Sequence, residues 1–401
     1  MTATGDRKNS DRESGIRRGA VTESAPFGIY VHVPFCVRRC GYCAFVTYAP
    51  DELSAAQTHR AWADAAAAEL DVAVRTLSAS AGTLPMVRTV YFGGGTPTAV
   101  DPALLAALLD AISERFDTAD DLEMSVEANP DGLTPDTLPA LADMGATRVS
   151  FGMQSAVPRV LDLLDRTHDP ESVPRAVAAA RSAGIASVSL DLISGTPGER
   201  PTDWVRTLDA ALALEPDHLS AYSLGIERGT KLAARVRNGA LPAPSPDEAA
   251  ERYEVLASRA DAAGLKWYEI SNWARTPADR CRHNLLYWRD DQWWGIGPGA
   301  HSHVDGRRWW NHPGLDAWST DALAERVPLA GSETPTDDER RTEQIMLGIR
   351  LAEGMPSDWA APGSLDALIA DGLVTTTADR VVLTLHGRLL CDLVVRRLRW
   401  G

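Results

Sequence analysis

Six short apolar runs, rich in β-branched residues, alternate with longer Ala-rich segments through residues 26–230. Strict alternation of strands and helices predicts parallel strands joined by right-handed crossovers. The predicted strands are Phe27–Val33, Val87–Phe92, Leu122–Glu127, Thr147–Phe151, Ser187–Ile193 and His218–Leu224. Six such units fit a partial (β/α) barrel better than a doubly wound sheet, but periodicity alone leaves both folds open. In either fold, functional residues follow the carboxyl ends of the strands.

Helical spacing fills the segments between these strands. Asp101–Pro102 and Thr134–Pro135 show the cap-then-proline pattern that is typical of helix starts. The predicted helices are Ala56–Leu77, Pro102–Phe116, Pro135–Met144, Pro158–Asp165, Val173–Ala183 and Asp203–Leu214.

The strand–helix rhythm ends near residue 230, and two further regions follow. The second region contains the proline-rich segment Leu241–Pro246, which indicates a linker or an irregular turn. The third shows two helices, a small hairpin and a last helix, a pattern typical of winged-helix-like domains. We therefore predict an α/β fold with a partial (β/α)6 barrel over residues 26–230. A smaller α+β segment over 231–330 and a winged-helix-like domain over 331–401 follow it, and residues 1–25 are predicted to be a disordered tail.

Charge and cysteine content narrow the classes of function. A net charge of −15 argues against a general nucleic-acid-binding surface and against binding to anionic membranes. No apolar run approaches the roughly 20 residues of a membrane-spanning helix, so we expect no stable membrane insertion. Five cysteines are too few, and odd in number, for a disulfide framework, which predicts a reducing cytoplasm. A homodimer is left open.

The segment Cys36-Val-Arg-Arg-Cys40-Gly-Tyr-Cys43 is the strongest local signal in the sequence. Its three cysteines follow the first predicted strand at spacings of four and three residues, so their thiolates can converge on one metal centre. A structural zinc site needs a closed set of four ligands, whereas a [4Fe–4S] cluster held by three cysteines leaves one iron open to another ligand. We interpret the segment as a cluster site. A zinc site with a remote fourth ligand and a disulfide pair are the alternatives.

The pattern C-x3-C-x2-C after a first strand resembles the signature of the radical SAM superfamily. The surrounding residues, from Tyr30-Val-His-Val-Pro-Phe-Cys36 to Tyr42-Cys43-Ala-Phe45, are similar to the group that contains anaerobic coproporphyrinogen III dehydrogenases and HemW-like haem chaperones. The resemblance implies a [4Fe–4S] cluster ligated by Cys36, Cys40 and Cys43, with S-adenosylmethionine chelating the open iron. In that superfamily, electron transfer from the cluster cleaves the sulfonium and generates a deoxyadenosyl radical.

Each later strand is followed by glycines or polar residues in the order of the family's S-adenosylmethionine site. Gly93–Pro97 matches the family's GGGTP, where missing side chains let a ligand approach the backbone. Glu127 suits a cationic amino group, and Gln154 and Asp191 suit ribose hydroxyls. The resemblance implies a cofactor site made of Tyr30, Tyr42, Phe45, Gly94, Gly95, Thr96, Glu127, Gln154, Arg166, Asp191 and Gly225. Taken singly, Gln154, Arg166 and Asp191 fit surface or salt-bridge positions equally well.

Two features separate the two branches of this group. The dehydrogenase-like pattern has a fourth cysteine two positions after the third, where this chain has Phe45. HemW-like sequences usually have Asp-Phe there, so Ala44 is a small departure from their pattern. Later segments resemble the HemW motifs YEISN, HNxxYW and GxGxGAHS in the same order, and they are Tyr268–Asn272, His283–Trp288 and Gly295–Ser302.

The HNxxYW segment suggests a haem site. A neutral imidazole is a common ligand of haem iron, and the resemblance implies this role for His283. The alternative is that His283 is a hydrogen-bonded core residue.

These features predict a haem chaperone that binds haem and transfers it to acceptor haemoproteins, with a [4Fe–4S] cluster and S-adenosylmethionine. The alternative is a coproporphyrinogen III dehydrogenase, in which the deoxyadenosyl radical abstracts a propionate β-hydrogen during decarboxylation to vinyl groups. A third interpretation is a different radical SAM reaction on another tetrapyrrole. The missing cysteine at Phe45 and the intact HNxxYW segment favour the chaperone.

Overall fold

The computed structural model describes residues 26–400, and a 12-stranded sheet forms its centre. The predicted tail over residues 1–25 lies outside the described part. Strands β1 to β6 are parallel neighbours in chain order, as the strand–helix rhythm predicted. The strands of this sheet are β1 Phe27–Val33, β2 Val87–Gly94, β3 Thr118–Ala128, β4 Arg148–Gln154, β5 Ser187–Ser194, β6 His218–Ser223, β7 Lys266–Glu269, β8 Asn272–Ala274, β9 Gln292–Ile296, β10 His301–Val304, β11 Arg307–Asn311 and β12 Leu329–Glu333.

Helices cover the outer face of the parallel strands. The predicted cap Asp101 accepts a hydrogen bond from Ala103 N at the start of α2, and Thr58 accepts one from Ala61 N at the start of α1. The predicted start at Thr134–Pro135 is wrong, because α3 begins at Thr137. The helices are α1 His59–Ala81, α2 Pro102–Arg115, α3 Thr137–Asp143, α4 Pro158–Leu163, α5 Ser172–Ser182, α6 Pro201–Leu212, α7 Lys231–Arg237, α8 Pro246–Ala262, α9 Arg282–Trp288, α10 Leu315–Leu323, α11 Asp337–Gly348, α12 Ser364–Ala370, α13 Leu385–Leu389 and α14 Cys391–Trp400. In the described part, no helix has the length and apolarity to span a bilayer.

The region after residue 230 completes both edges of the barrel sheet. β9 pairs with β1 in parallel, and β10 to β12 continue that edge as antiparallel strands. At the other edge, β8 pairs antiparallel with β6 and β7 pairs with β8. The α+β character predicted for this region is confirmed. Its strands belong to the barrel sheet, where they cover edges that would otherwise expose unpaired backbone groups.

The chain ends in a small unit with its own core. Strands β13 Met355–Pro356, β14 Val374–Thr377 and β15 Arg380–Leu383 form a three-stranded antiparallel sheet. The buried residues of this unit, such as Ile345 and Leu398 on its helices, pack as a cluster separate from the barrel core. Helices followed by a hairpin and a last helix agree with the predicted winged-helix-like pattern. The division of the chain into domains at residues 230 and 330 stays a prediction.

Candidate functional site

A cavity of about 470 Å³ is lined by the interior faces of the parallel strands, by the cysteine segment and by residues of α9. It brings together almost all of the residues that the sequence singled out. Those that line it are Cys36, Cys40, Tyr42, Cys43, Phe45, Gly94, Gly95, Thr96, Glu127, Gln154, Arg166, Asp191, Gly225 and His283. Tyr30 lies outside the lining, and its hydroxyl is 2.9 Å from His32 Nδ1.

Backbone hydrogen bonds fix the ends of the cysteine segment. Cys36 N donates to Tyr48 O at 3.0 Å, and Tyr48 N donates to Pro34 O at 2.7 Å, which closes the segment into a loop. In its middle, Gly41 N donates to Leu164 O at 3.0 Å, and Gly41 O accepts from Leu232 N at 2.9 Å. The loop is therefore held against α4 and α7 without any contribution from a bound group.

Two polar groups donate to the cysteine sulfurs. Thr96 Oγ1 lies 3.7 Å from Cys36 Sγ, and Arg166 Nη1 lies 3.5 Å from Cys40 Sγ. Burial raises the pKa of the Cys36 thiol to about 11 and also raises that of Cys43, so these groups are thiols without a metal. Since iron–sulfur clusters are held by thiolates that accept such hydrogen bonds, this donor set fits a cluster.

The alternatives for the cysteines receive no support from the geometry. All five cysteines, each of which lies in the described part, are free. Within residues 26–400, no three His, Cys, Asp or Glu side chains are placed to hold a single metal ion. In a [4Fe–4S] cluster each cysteine binds a different iron, so a cluster does not need that convergence.

The triple glycine lets the loop after β2 pack closely against the base of the cysteine loop. A Cβ on Gly95 would meet Phe35 O at 2.6 Å, and one on Gly94 would meet the His32 ring at 2.4 Å. Gly95 N donates to Val33 O at 2.8 Å, and Thr96 N donates to Phe35 O at 2.7 Å. The space left by the missing side chains is thus filled by the protein's own residues 32–35. Gly94 and Gly95 nevertheless line the cavity.

Glu127, at the end of β3, is held in place on both oxygens. Its Oε1 accepts from the Tyr91 hydroxyl at 2.8 Å, and its Oε2 accepts from Gly94 N at 3.0 Å. Burial raises the pKa of this carboxyl to about 7, although both hydrogen bonds oppose that shift. A cation placed beside Glu127 would favour the ionised form, so the site suits a positively charged group.

Arg166 and Gln154 meet where β4 ends. Arg166 Nη2 donates to Gly152 O, and its Nε has no hydrogen-bond partner within the described residues. Gln154 has a φ of +59°, in the left-handed region that non-glycine residues rarely adopt. Strained backbone of this kind is found at ligand sites, where the surrounding structure enforces it.

Asp191 and Gly225 line the cavity from β5 and from the segment after β6, and Tyr42 and Phe45 line it from the cysteine loop. Ser150 Oγ donates to both Asp191 oxygens, at 2.8 and 2.9 Å, and burial raises the pKa of Asp191. Tyr42 packs on the small apolar cluster that contains Val160 and Leu164. Phe45 is 67% exposed, so one face of it remains open to solvent.

His283, on α9, is buried between two hydrogen-bond partners. Its Nδ1 lies 2.8 Å from Thr89 Oγ1, and its Nε2 lies 2.9 Å from the Tyr287 hydroxyl. Burial lowers the pKa of the imidazole to about 3, so it is neutral near pH 7. Because both ring nitrogens are engaged, His283 can bind an iron only after one of these hydrogen bonds opens.

Buried His283 makes the stability of the fold pH-dependent in a defined direction. Its pKa is about 3 when folded, against an ordinary value of 6.5, so the unfolded chain takes up a proton first as the pH falls. Relative to His283→Gln, we expect wild type to lose up to about 1.4 kcal/mol of unfolding free energy per pH unit below pH 6.5. Denaturant titrations at pH 8, 6 and 5 measure this difference. A difference that stays constant over this range would show that His283 is not held neutral.

Most polar residues in the interior of the strands were not predicted, because the prediction rested on the residues at and after the strand ends. Alternate residues of β4 and β5 line the cavity, while the residues between them are buried and mainly apolar, and β3 and β6 add further polar residues. Glu127 and Asp191 among these residues were predicted, whereas Ser125, Arg148, Ser150, Ser189, His218 and Ser220 were not. The sequence does show polar residues at every second position of these strands, and strands place alternate side chains on one face.

Residues 30–211 match the family model of the radical SAM superfamily. The chain is 47% identical over 376 residues to the haem chaperone HemW of Mycobacterium tuberculosis (strain ATCC 25618 / H37Rv), covering 93% of this chain and 95% of that protein. The chain belongs to the HemW family. It is also 32% identical over 374 residues to HemW of Bacillus subtilis (strain 168), covering 90% of this chain and 96% of that protein.

The fold comparison agrees with this assignment. The solved structure of coproporphyrinogen III oxidase (HemN) from Escherichia coli superposes with a TM-score of 0.79 at 23% identity, covering 94% of this chain and 91% of that one. The HemW family and HemN thus share one radical SAM fold. Membership of the radical SAM superfamily implies a [4Fe–4S] cluster and S-adenosylmethionine.

Proposed function

We propose that this HemW-family protein is a haem chaperone, which binds haem and passes it to acceptor haemoproteins. The observation that carries the proposal is the match to HemW proteins along almost the whole chain, 95% of the Mycobacterium tuberculosis relative. The match includes the HNxxYW segment His283–Trp288, which lies beyond the residues 30–211 that the radical SAM model covers. A cytoplasmic location is part of the proposal.

Cys36, Cys40 and Cys43 hold the [4Fe–4S] cluster in this proposal, and Glu127, Gln154, Arg166 and Asp191 hold S-adenosylmethionine with the other cavity residues named above. The cluster supplies an electron that can cleave the bound sulfonium. The residues of this chain bind and orient: Glu127 offers a carboxylate already fixed by Tyr91, and Arg166 offers the unpaired Nε. Tyr30 lies behind the cavity, where its hydroxyl is hydrogen-bonded to His32 Nδ1.

The haem site is proposed on α9, where His283 and Tyr287 both line the cavity. Three rings surround His283, because Tyr91 stacks on it at 5.2 Å between ring centroids, Tyr287 meets it edge-on at 5.3 Å and Tyr30 lies at 6.3 Å. Flat aromatic walls of this kind suit a porphyrin. Opening of the bond between His283 Nε2 and Tyr287 is the step that frees a nitrogen for iron.

This proposal predicts that two neighbouring variants differ in haem binding. His283→Ala is expected to change the Soret band and to weaken haem binding at least about tenfold, because the iron loses a nitrogen ligand. Tyr287→Phe is expected to bind haem at least as tightly as wild type, because it removes the hydroxyl that occupies Nε2. Spectral titration with haem measures both. Circular dichroism of each variant checks that it is folded, and an unchanged spectrum and titration for folded His283→Ala would remove His283 as a ligand.

Haem delivery is tested with the same preparation. Haem-loaded protein is mixed with the apo form of a haemoprotein, and the rate of haem transfer is followed while the acceptor concentration is varied. A rate that rises with acceptor concentration supports direct transfer, and a rate independent of it shows simple release and contradicts the chaperone function. Coproporphyrinogen III, added anaerobically with S-adenosylmethionine, a reductant and an electron acceptor, is expected to stay unconverted.

A further inference from the structure

Arg148, the first residue of β4, is a buried cation with two unpartnered donors in the described residues. It is 4% exposed and lines the cavity. Its Nη2 donates to the backbone carbonyl of Asp279, while Nε and Nη1 have no hydrogen-bond partner in residues 26–400. Burying guanidinium donors without hydrogen-bond partners is unfavourable, so a group that occupies these two donors stabilises the site.

Three side chains close to Arg148 are neutral: Ser125, His218 and Cys281. Ser125 is its neighbour across the β3–β4 pair and also has an unpartnered hydroxyl. His218 is bonded to Ser189 Oγ and to the Tyr268 hydroxyl, each at 2.8 Å, and burial lowers the pKa of His218 well below its ordinary value. Cys281 stays a thiol, because burial raises its pKa to about 12.

Two buried carboxylates of this region, Asp191 and Glu123, accept hydrogen bonds from other groups. Asp191 accepts on both oxygens from Ser150. Glu123 accepts from Arg282 N at 2.8 Å and from His283 N at 2.9 Å, at the start of α9. Asp191 attracts Arg148 electrostatically, which opposes the burial-driven rise of the Asp191 pKa. Neither carboxylate forms a hydrogen bond with the guanidinium, so its Nε and Nη1 stay available to a ligand in the cavity.

We propose that Arg148, with the Ser125 hydroxyl, binds the carboxylate of a ligand inside the barrel. Gln154 marks the other end of β4, six residues and roughly 20 Å further along the strand, so this subsite is distant from Gln154 but borders Asp191. Arginine suits the task because its planar donors match a carboxylate. The carboxylate comes either from a propionate of a tetrapyrrole or from a separate small acid. Only the first of these sources rests on the proposed haem function.

Propionate is the probe for the subsite itself. Full-length reconstituted protein is titrated with 13C-labelled propionate at constant ionic strength, and the dissociation constant is taken from line broadening. We expect Arg148→Gln to weaken binding at least about tenfold and Arg148→Lys to weaken it less, since lysine keeps the charge but not the fork. Arg237→Gln, an exposed change of the same kind on α7, is the matched control and is expected to bind as wild type does.

Equal binding by wild type and folded Arg148→Gln, or no binding by wild type, would overturn the subsite. If Arg148→Gln does not fold, the comparison of wild type with Arg148→Lys decides. Competition then identifies the source: displacement of propionate by haem but not by haem dimethyl ester assigns the subsite to a tetrapyrrole propionate. Any other pattern assigns it to a separate small acid. Failure of haem to bind contradicts the proposed function and leaves the propionate result standing.

Discussion

Cys40→Ser is expected to lose nearly all of the iron–sulfur absorption that wild type gains on anaerobic reconstitution. Cys40 sits in the middle of the cysteine loop, and its sulfur accepts a hydrogen bond from Arg166 Nη1 at 3.5 Å. A serine hydroxyl is a poor substitute for a thiolate, and a cluster with only two cysteine ligands is weakly held. We expect cluster-bound iron per chain to fall at least about tenfold, since even partners of metal ligands contribute tenfold or more to affinity.

Iron content and the visible spectrum, measured after removal of unbound iron, check this result. Cys391→Ser is the matched control, because Cys391 belongs to the separate core of the C-terminal unit. It is expected to keep the full cluster. Before reconstitution, Cys40→Ser should unfold within about 1 kcal/mol of wild type, because backbone hydrogen bonds hold the loop. Full cluster occupancy in Cys40→Ser would refute the ligand assignment.

Strand positions were predictable wherever apolar, β-branched residues fill a buried strand. β1 begins and ends at the predicted residues, Phe27 and Val33. β3 begins at Thr118, four residues before the prediction, because Ala119–Asp121 carries too much polarity to resemble a strand. Its pairing with β2, where Val87 lies opposite Thr118, extends it. Tertiary pairing thus decides where the local signal is weak.

The edges of the sheet could not be predicted in the same way. β9 pairs with β1 although more than 250 residues separate them, and no local pattern reveals which strand an isolated run such as Gln292–Ile296 will join. The contacts of α9 could not be predicted either, because its first N–H groups are capped by Glu123 from β3. Contacts of this kind depend on topology, which single-sequence periodicity does not contain.

Site residues at strand ends were predictable from the sequence, whereas site residues at the start of strands were not. Residues at strand ends such as Glu127, Gln154 and Asp191 do line one cavity. Arg148 and His218 were overlooked because a polar residue at the start of a strand usually indicates its solvent-exposed end. Their burial follows from barrel curvature, which turns alternate side chains inward from every strand.

Glu69 joins the barrel to the region after residue 230. This residue of α1 is 1% exposed. Its Oε2 accepts from Gly297 N at 2.8 Å and from Trp318 Nε1 at 2.7 Å, and its Oε1 accepts from Asn311 Nδ2 at 2.7 Å. One carboxyl therefore satisfies three buried donors from the β9–β10 loop, β11 and α10.

Glu69→Ala is expected to lower the unfolding free energy by about 3–5 kcal/mol, because it leaves those donors buried without a partner. Denaturant titration measures the loss, and Glu251→Ala, at an exposed position of α8, should cost less than about 1 kcal/mol. Trp318→Phe removes a single donor, so its loss should be smaller than that of Glu69→Ala. A loss below 1 kcal/mol in Glu69→Ala would show that these contacts do not stabilise the junction.

The pH dependence of the Glu69→Ala loss distinguishes a buried carboxyl from simple loss of packing. Burial raises the pKa of Glu69 to about 7, above its ordinary 4.5, although its three hydrogen bonds oppose the shift. The folded chain therefore holds a proton that the unfolded chain releases between these values, and the contribution of Glu69 to stability declines as the pH rises through that window. The difference between wild type and Glu69→Ala should accordingly be larger at pH 5 than at pH 8. A packing effect alone would give the same difference at both, so the slope identifies the carboxyl as the group that holds the two parts together.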